Sequence, residues 1–240
     1  MDIHRKGDRP LIFTVRKVQD QTNEDSWAWS HEGIVALSDG ASISFDSAAW
    51  SKILVRHYCR CPNFSESWLK AGIAEFGKLY DREALPWMKQ AAFDRGSFAS
   101  LLGIQRHGEG NIQIFAVGDS LAVLCDGDEI NATFPYQNVL EFDQSPQLIS
   151  TNPAENAFLR DWGSSDKFYC DWNCATLKSP SLLCMTDALG RWLLSRLEKG
   201  ESPVTVLRQI KTKKAFEKFV NLERAARRLK TDDTSLIAFW

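Results

Sequence analysis

The chain has 240 residues, 44% of them hydrophobic and 25% charged, with a formal net charge of −2. This balance is that of a water-soluble globular chain, and it sets up no global field that would draw in nucleic acid or an acidic membrane surface. No apolar run approaches the roughly 18 residues a bilayer-spanning helix needs.

The polar, charged start over residues 1–10 holds no signal-peptide core, so a cytoplasmic protein is expected. Residues 11–18 alternate apolar and polar positions, as a half-buried strand does. A polar stretch follows, then a strand over 26–30 with two tryptophans at alternate positions. Glu32-Gly33 marks a turn into a buried strand over 34–37, which runs directly into Ser38-Asp39-Gly40. Apolar residues at helical spacing predict helices over 48–58 and 67–92, the second interrupted at Pro86.

Strands are predicted over 96–105, 112–117 and 121–125, with Gly118-Asp119-Ser120 joining the last two and Asp126-Gly127-Asp128 closing them. Residues 131–165 are rich in Asn, Pro, Ser and Gln and read as irregular, with short pieces of strand. A buried strand over 182–185 ends at Thr186-Asp187. Helices follow over 188–198, 204–210 and 215–229, and an apolar strand over 234–240 closes the chain. No repeat or linker interrupts 1–240, which reads as one domain. Strands segregated from helices point to α+β layers and not to alternating βαβ units.

Several features that tempt a functional reading are structural. The six cysteines, including Cys59-Arg60-Cys61 and the Cys170/Cys174 pair, lack the spacing of a zinc site and read as free thiols. His4, His31, His57 and His107 are scattered. The nine tryptophans fall mostly at apolar positions and read as packing groups. Arg224, Arg227, Arg228 and Lys230 fall mostly on one side of the last predicted helix, as a solvated face. No glycine-rich phosphate loop of the mononucleotide or dinucleotide kind is present.

One pattern stands out. Asp25, Asp39, Asp119 and Asp187 each sit where a predicted strand ends or turns, and Asp232-Asp233 precedes the last strand. Any one of them has a ready structural role as a turn or capping residue. Five together suggest carboxylates gathered at one rim of a sheet. Carboxylates about 4 Å apart repel by roughly 4 kcal/mol per pair at an effective dielectric near 20, so such a cluster needs protons or cations. Mg²⁺ or Mn²⁺ suit an all-oxygen set.

These segments resemble, in order, the motifs of the PP2C (PPM) metal-dependent Ser/Thr phosphatases, in a divergent bacterial form. The matching segments are Asn23-Glu24-Asp25, Ser38-Asp39-Gly40, Gly96-Ser97-Phe98-Ala99, Phe115-Ala116-Val117-Gly118-Asp119-Ser120, Leu182 to Asp187, and Asp232-Asp233-Thr234-Ser235-Leu236. The resemblance implies a four-layer α-β-β-α sandwich with two central antiparallel sheets. It implies two divalent cations, bridged by Asp39, with the Gly40 carbonyl on one of them. Asp187 and Asp232 would complete the first, and Glu24 or Asp25 would hold water on the second. Asp39, Asp187 and Asp232 become the candidate catalytic residues, and Asp119 a further metal-site candidate. A water activated by the cations would attack phosphorus in line, and the substrate would be a phosphoprotein modified by a cognate Ser/Thr kinase.

The chain departs from the family pattern where Asp20 replaces the usual phosphate-binding arginine, leaving Arg5, Arg16 or Lys17 as candidates for that role. Ala188 replaces the glycine after Asp187. Arg191 stands where an acidic residue would help hold a third cation; it is expected either to pair with Asp119 or to point into solvent. Three readings follow: an active phosphatase, a catalytically weak or inactive phosphoprotein-binding module, and a small-molecule hydrolase on the same fold.

Overall fold

In the chain's computed structural model, residues 9–108, 110–160 and 167–239 are described. The chain enters through β1 (Leu11–Val15), β2 (Ser26–Trp29) and β3 (Ile34–Ser38). Helices α1 (Ser47–Arg60), α2 (Glu66–Gly77) and α3 (Trp87–Arg95) follow. Next come β4 (Phe98–Ala99), β5 (Leu101–His107), β6 (Asn111–Val117), β7 (Leu121–Asp126) and β8 (Glu129–Phe134), then β9 (Ile149–Ser150), β10 (Tyr169–Asn173) and β11 (Pro180–Met185). Helices α4 (Asp187–Glu198), α5 (Pro203–Arg208) and α6 (Lys213–Ala225) lead into β12 (Thr234–Phe239).

Two five-stranded antiparallel sheets result, ordered β1-β12-β11-β7-β8 and β10-β6-β5-β3-β2, with a small β4-β9 pair beside them. Period-two alternation decides how they stack. In β3, Val35 and Leu37 join the core between the sheets, whereas Ile34 and Ala36 pack outward on α1 and α2. In β12, Ile237 and Phe239 face the inter-sheet core, whereas Leu236 and Ala238 face α4, α5 and α6. Both faces of each sheet are therefore covered, which is why the central strands read as continuous apolar runs even though they are antiparallel. The α-β-β-α sandwich expected from the resemblance is observed.

Several boundaries moved. The helix predicted over 67–92 stops at Gly77 and resumes at Trp87, with Pro86 at its new N-cap. The strand predicted over 96–105 divides at Ser100, where β4 pairs with β9 and β5 with β3 and β6. The sequence reading missed β10, whose half-exposed Tyr169–Asn173 lies along the edge of its sheet. All six cysteines are free, as expected.

The last helix differs most consequentially. Instead of reaching 229, α6 ends at Ala225, and Arg227 takes a left-handed conformation with φ +56. The four basic residues therefore do not form one solvated helical face. Arg224 turns back to donate to the carbonyls of Arg16 (2.9 Å) and Asp232, and Lys230 reaches the aspartates described next.

Candidate active site

Strand register gathers the aspartates. Ser26 pairs with Ser38, Leu101 with Val117, Met185 with both Leu121 and Leu236, and Val15 with Thr234. All but Leu236, the third residue of its strand, are terminal residues of their strands. The positions just beyond them therefore share one rim of the sandwich: Asp25 before β2, Asp39 after β3, Asp119 between β6 and β7, Asp187 after β11 and Asp232 before β12.

Hydroxyl groups fix the carboxylates in place. Asp25 belongs to the second sheet's edge, yet its Oδ2 accepts from Ser235 (2.7 Å) and Thr186 (3.2 Å) of the first. Ser100 Oγ accepts from the Asp39 backbone N–H at 2.9 Å and lies 2.9 Å from Ser120 Oγ, linking the turns that carry Asp39 and Asp119. Asp39 and Gly40 continue beside β4. There the hydrogen bonds run from Ala41 N–H to the Phe98 carbonyl and from Ser100 N–H to the Asp39 carbonyl, which leaves the Gly40 carbonyl out of the ladder. Only glycine fits at position 40, because a Cβ there would lie 2.8 Å from the Ser47 Cβ.

The electrostatics are those of carboxylates forced together. Burial pushes Asp25 up to about 8; the Ser235 hydroxyl pulls it back, and the charges of Asp233 and Asp187 push it further. Burial also holds Asp39 well above the usual carboxylate range, helped by Asp25, Asp187, Asp119 and Asp232. Burial and Asp187 raise Asp119 to about 7, against the opposing charge of Lys230. Asp25 is 7% exposed, and its Oδ1 is buried without a hydrogen-bond partner. A buried, unpartnered oxygen of this kind costs free energy unless a proton or cation meets it.

Two cations of the chain already sit at the rim. Lys230 Nζ lies 2.8 Å from Asp232 Oδ2 and 3.0 Å from Asp187 Oδ2. Both carboxylates hold the Lys230 ammonium charged, against a burial that works to lower its pKa. Lys17 pairs with Glu24 and donates to Ser42 at 2.6 Å. Glu24 is thus spoken for, since its oxygens also accept from Ser42 (2.6 Å) and Ser47 (2.7 Å). Among the described residues, no three acidic, thiol or imidazole groups are closed into a ready ligand set.

The other expected residues divide. Arg16 is exposed and donates to the Gln19 carbonyl at 3.1 Å, so Lys17 is the phosphate-binding candidate that the structure brings to the rim; Arg5 lies outside the described residues. Arg191 does not pair with Asp119. It bridges to Asp143 at 2.6 Å, both side chains being exposed, because its place on α4 faces the turn after β8. Sequence reasoning missed Asp233 as a buried clamp. Its two oxygens accept from the backbone N–H groups of Lys17 and Glu24, each at 2.6 Å, and tie down the segment between β1 and β2.

No known family profile matches the sequence, and no curated protein matches it. Solved structures do match. The Mycobacterium tuberculosis serine/threonine phosphatase PstP/Ppp is 14% identical, with 96% of this chain and 97% of that one covered at a TM-score of 0.61. The fold is that of the PP2C-type phosphatases. PppA, a regulatory component of the type VI secretion system in Pseudomonas aeruginosa, is 16% identical over 96% of each chain, with a TM-score of 0.56. The catalytic domain of PstP in complex with two manganese ions is 15% identical, again over 96% of each chain and with a TM-score of 0.56. At these identities the PP2C likeness establishes architecture alone, since a shared fold does not by itself fix the chemistry of a site.

The donor set is all oxygen and crowded, burial raises Asp25, Asp39 and Asp119 toward protonation, and one buried oxygen of Asp25 is unpartnered. That chemistry fits hard divalent cations such as Mn²⁺ or Mg²⁺. Asp25, Asp39, Asp119 and the Gly40 carbonyl are open to such a role. Asp187 and Asp232 are open to it only if Lys230 gives way.

Proposed function

We propose that the chain is a divalent-cation-dependent phosphatase acting on phosphoserine or phosphothreonine in proteins. The observation that carries this reading is the convergence of Asp25, Asp39, Asp119, Asp187 and Asp232 on one rim of a PP2C sandwich, with the buried Oδ1 of Asp25 left unpartnered. A purely structural site gains nothing from five mutually repelling carboxylates.

Asp39 is the centre of the cluster, because the charges of all four other aspartates act on it. The Ser100 bond to its backbone holds Asp39 at the strand end, and Ser235 and Thr186 orient Asp25 toward it across the sheets. Bound divalent cations would supply acidified water and offset the charge of the phosphate. Lys17 and Lys230 would add positive charge at the rim, where the family's arginine is replaced by Asp20. A protein phosphate as substrate implies a Ser/Thr kinase in the same compartment. Six free thiols support a reducing, cytoplasmic one.

The test is a side-by-side assay of phosphothreonine peptides, phosphotyrosine peptides and phosphorylated metabolites with Mn²⁺. Highest kcat/KM on phosphothreonine peptides supports the proposal, and clearly faster metabolite turnover replaces it with a small-molecule hydrolase. One observation favours a second reading, a catalytically weak phosphoprotein-binding module: Lys230 already neutralises Asp187 and Asp232. In that case phosphothreonine peptides bind and are not turned over.

A further inference from the structure

Lys230 stands two residues before Asp232, on the turn between α6 and β12, and bridges Asp232 and Asp187. Those two residues come from different elements, the start of α4 and the approach to β12. What they share is a space that both carboxylates face, and the ammonium fills it. Three features shape the turn that delivers Lys230. α6 stops early, Arg227 adopts φ +56, and Arg224 grips the carbonyls of Asp232 and Arg16. A helix continuing to 229, as the sequence periodicity suggests, would carry this lysine elsewhere.

We propose that Lys230 is an intramolecular competitor for the divalent cation that Asp187 and Asp232 would otherwise hold. The inference rests on the metal-dependent reading above. A tethered ammonium meets the pair at high effective concentration and pays no association entropy. It is also free to leave, since the Lys230 side chain is 55% exposed and can be rehydrated outside the cluster. A divalent ion must therefore displace it, which weakens apparent affinity at this one position. Among the described residues, Lys230 forms its ion pairs with Asp187 and Asp232 and reaches Asp119 only through the field of its charge, so a cation held by Asp25, Asp39 and Asp119 displaces no ammonium. The two positions should thus fill at different cation concentrations.

The test is calorimetric titration of the full chain with Mn²⁺, paired with electron paramagnetic resonance of free Mn²⁺, neither of which reads activity. Wild type is compared with Lys230→Gln and Lys230→Arg, with folding checked by circular dichroism. The expected result is that Lys230→Gln tightens the weaker Mn²⁺ event by about tenfold, or about 1.4 kcal/mol, whereas Lys230→Arg stays close to wild type. Equal Mn²⁺ binding by wild type and Lys230→Gln overturns the competitor role and leaves the metal reading standing. No Mn²⁺ binding by any of the three proteins overturns both.

Discussion

Asp25 accepts a 2.7 Å hydrogen bond from Ser235, so a carboxylate carried by one sheet is positioned by a hydroxyl of the other. This bond, with that from Thr186, closes the rim between the sheets and leaves one Asp25 oxygen aimed at no protein partner. The acidic centre is therefore a product of sandwich packing and not of any single loop.

That arrangement sets a pH dependence. The protonation of Asp25 is raised by burial from 3.8 to about 8 in the folded chain. A group whose folded pKa is raised contributes stability that is complete below the unfolded value and lost as pH rises through the folded one. Without divalent cations, the melting temperature should thus fall by on the order of several degrees between about pH 5 and about pH 8. Asp39 and Asp119 act in the same direction. Asp25→Asn should flatten the slope. Thermal melts in chelator across this range check it, and a melting temperature that rises with pH would contradict the burial argument.

Asp233 should behave as a structural residue. It is 1% exposed, and its two oxygens accept from the Lys17 and Glu24 amides. Asp233→Ala leaves those N–H groups without their acceptor and should cost on the order of 2 kcal/mol or more. Chemical denaturation measures the loss. A change under about 0.5 kcal/mol, the scale of an ordinary surface substitution, would show that the segment is held by other means.

Gly40→Ala should damage both stability and activity, because the added Cβ meets Ser47 at the start of α1, 2.8 Å away. Forced overpacking of this kind costs about 1–3 kcal/mol. Melting and turnover measured on the same preparation should fall together.

Arg191→Ala should leave kcat/KM within about twofold, since an exposed ion pair such as Arg191–Asp143 contributes about 0–1 kcal/mol. A large loss of activity would place Arg191 closer to the reacting groups than its bond to Asp143 allows.

How far the sequence alone reached can be judged from particular residues. Asp39 and Asp119 were legible because each follows a strand long and apolar enough to be recognised, and the register of antiparallel strands then brings such ends together. The sandwich itself was legible from the ordered motifs. Lys230 was not, because helical spacing over 215–229 is a local signal, and the left-handed turn at Arg227 that overrides it has no glycine to announce it. β10 escaped because Tyr169–Asn173 is a half-exposed edge strand with no apolar run. The Arg191–Asp143 pair depends on where the segment after β8 folds back, which no spacing in the sequence encodes.

Hydrolysis of p-nitrophenyl phosphate in Mn²⁺, in Mg²⁺ and in chelator, by wild type and by Asp39→Asn, decides whether the aspartate rim is a metal-dependent catalytic centre. Turnover is expected with either cation and none in chelator, with a loss of about a hundredfold or more in Asp39→Asn, the scale of removing a charge-organising group from an active site. Turnover that persists in chelator, or an Asp39→Asn protein that keeps more than about a tenth of the wild-type rate, well above what that loss allows, would contradict this reading.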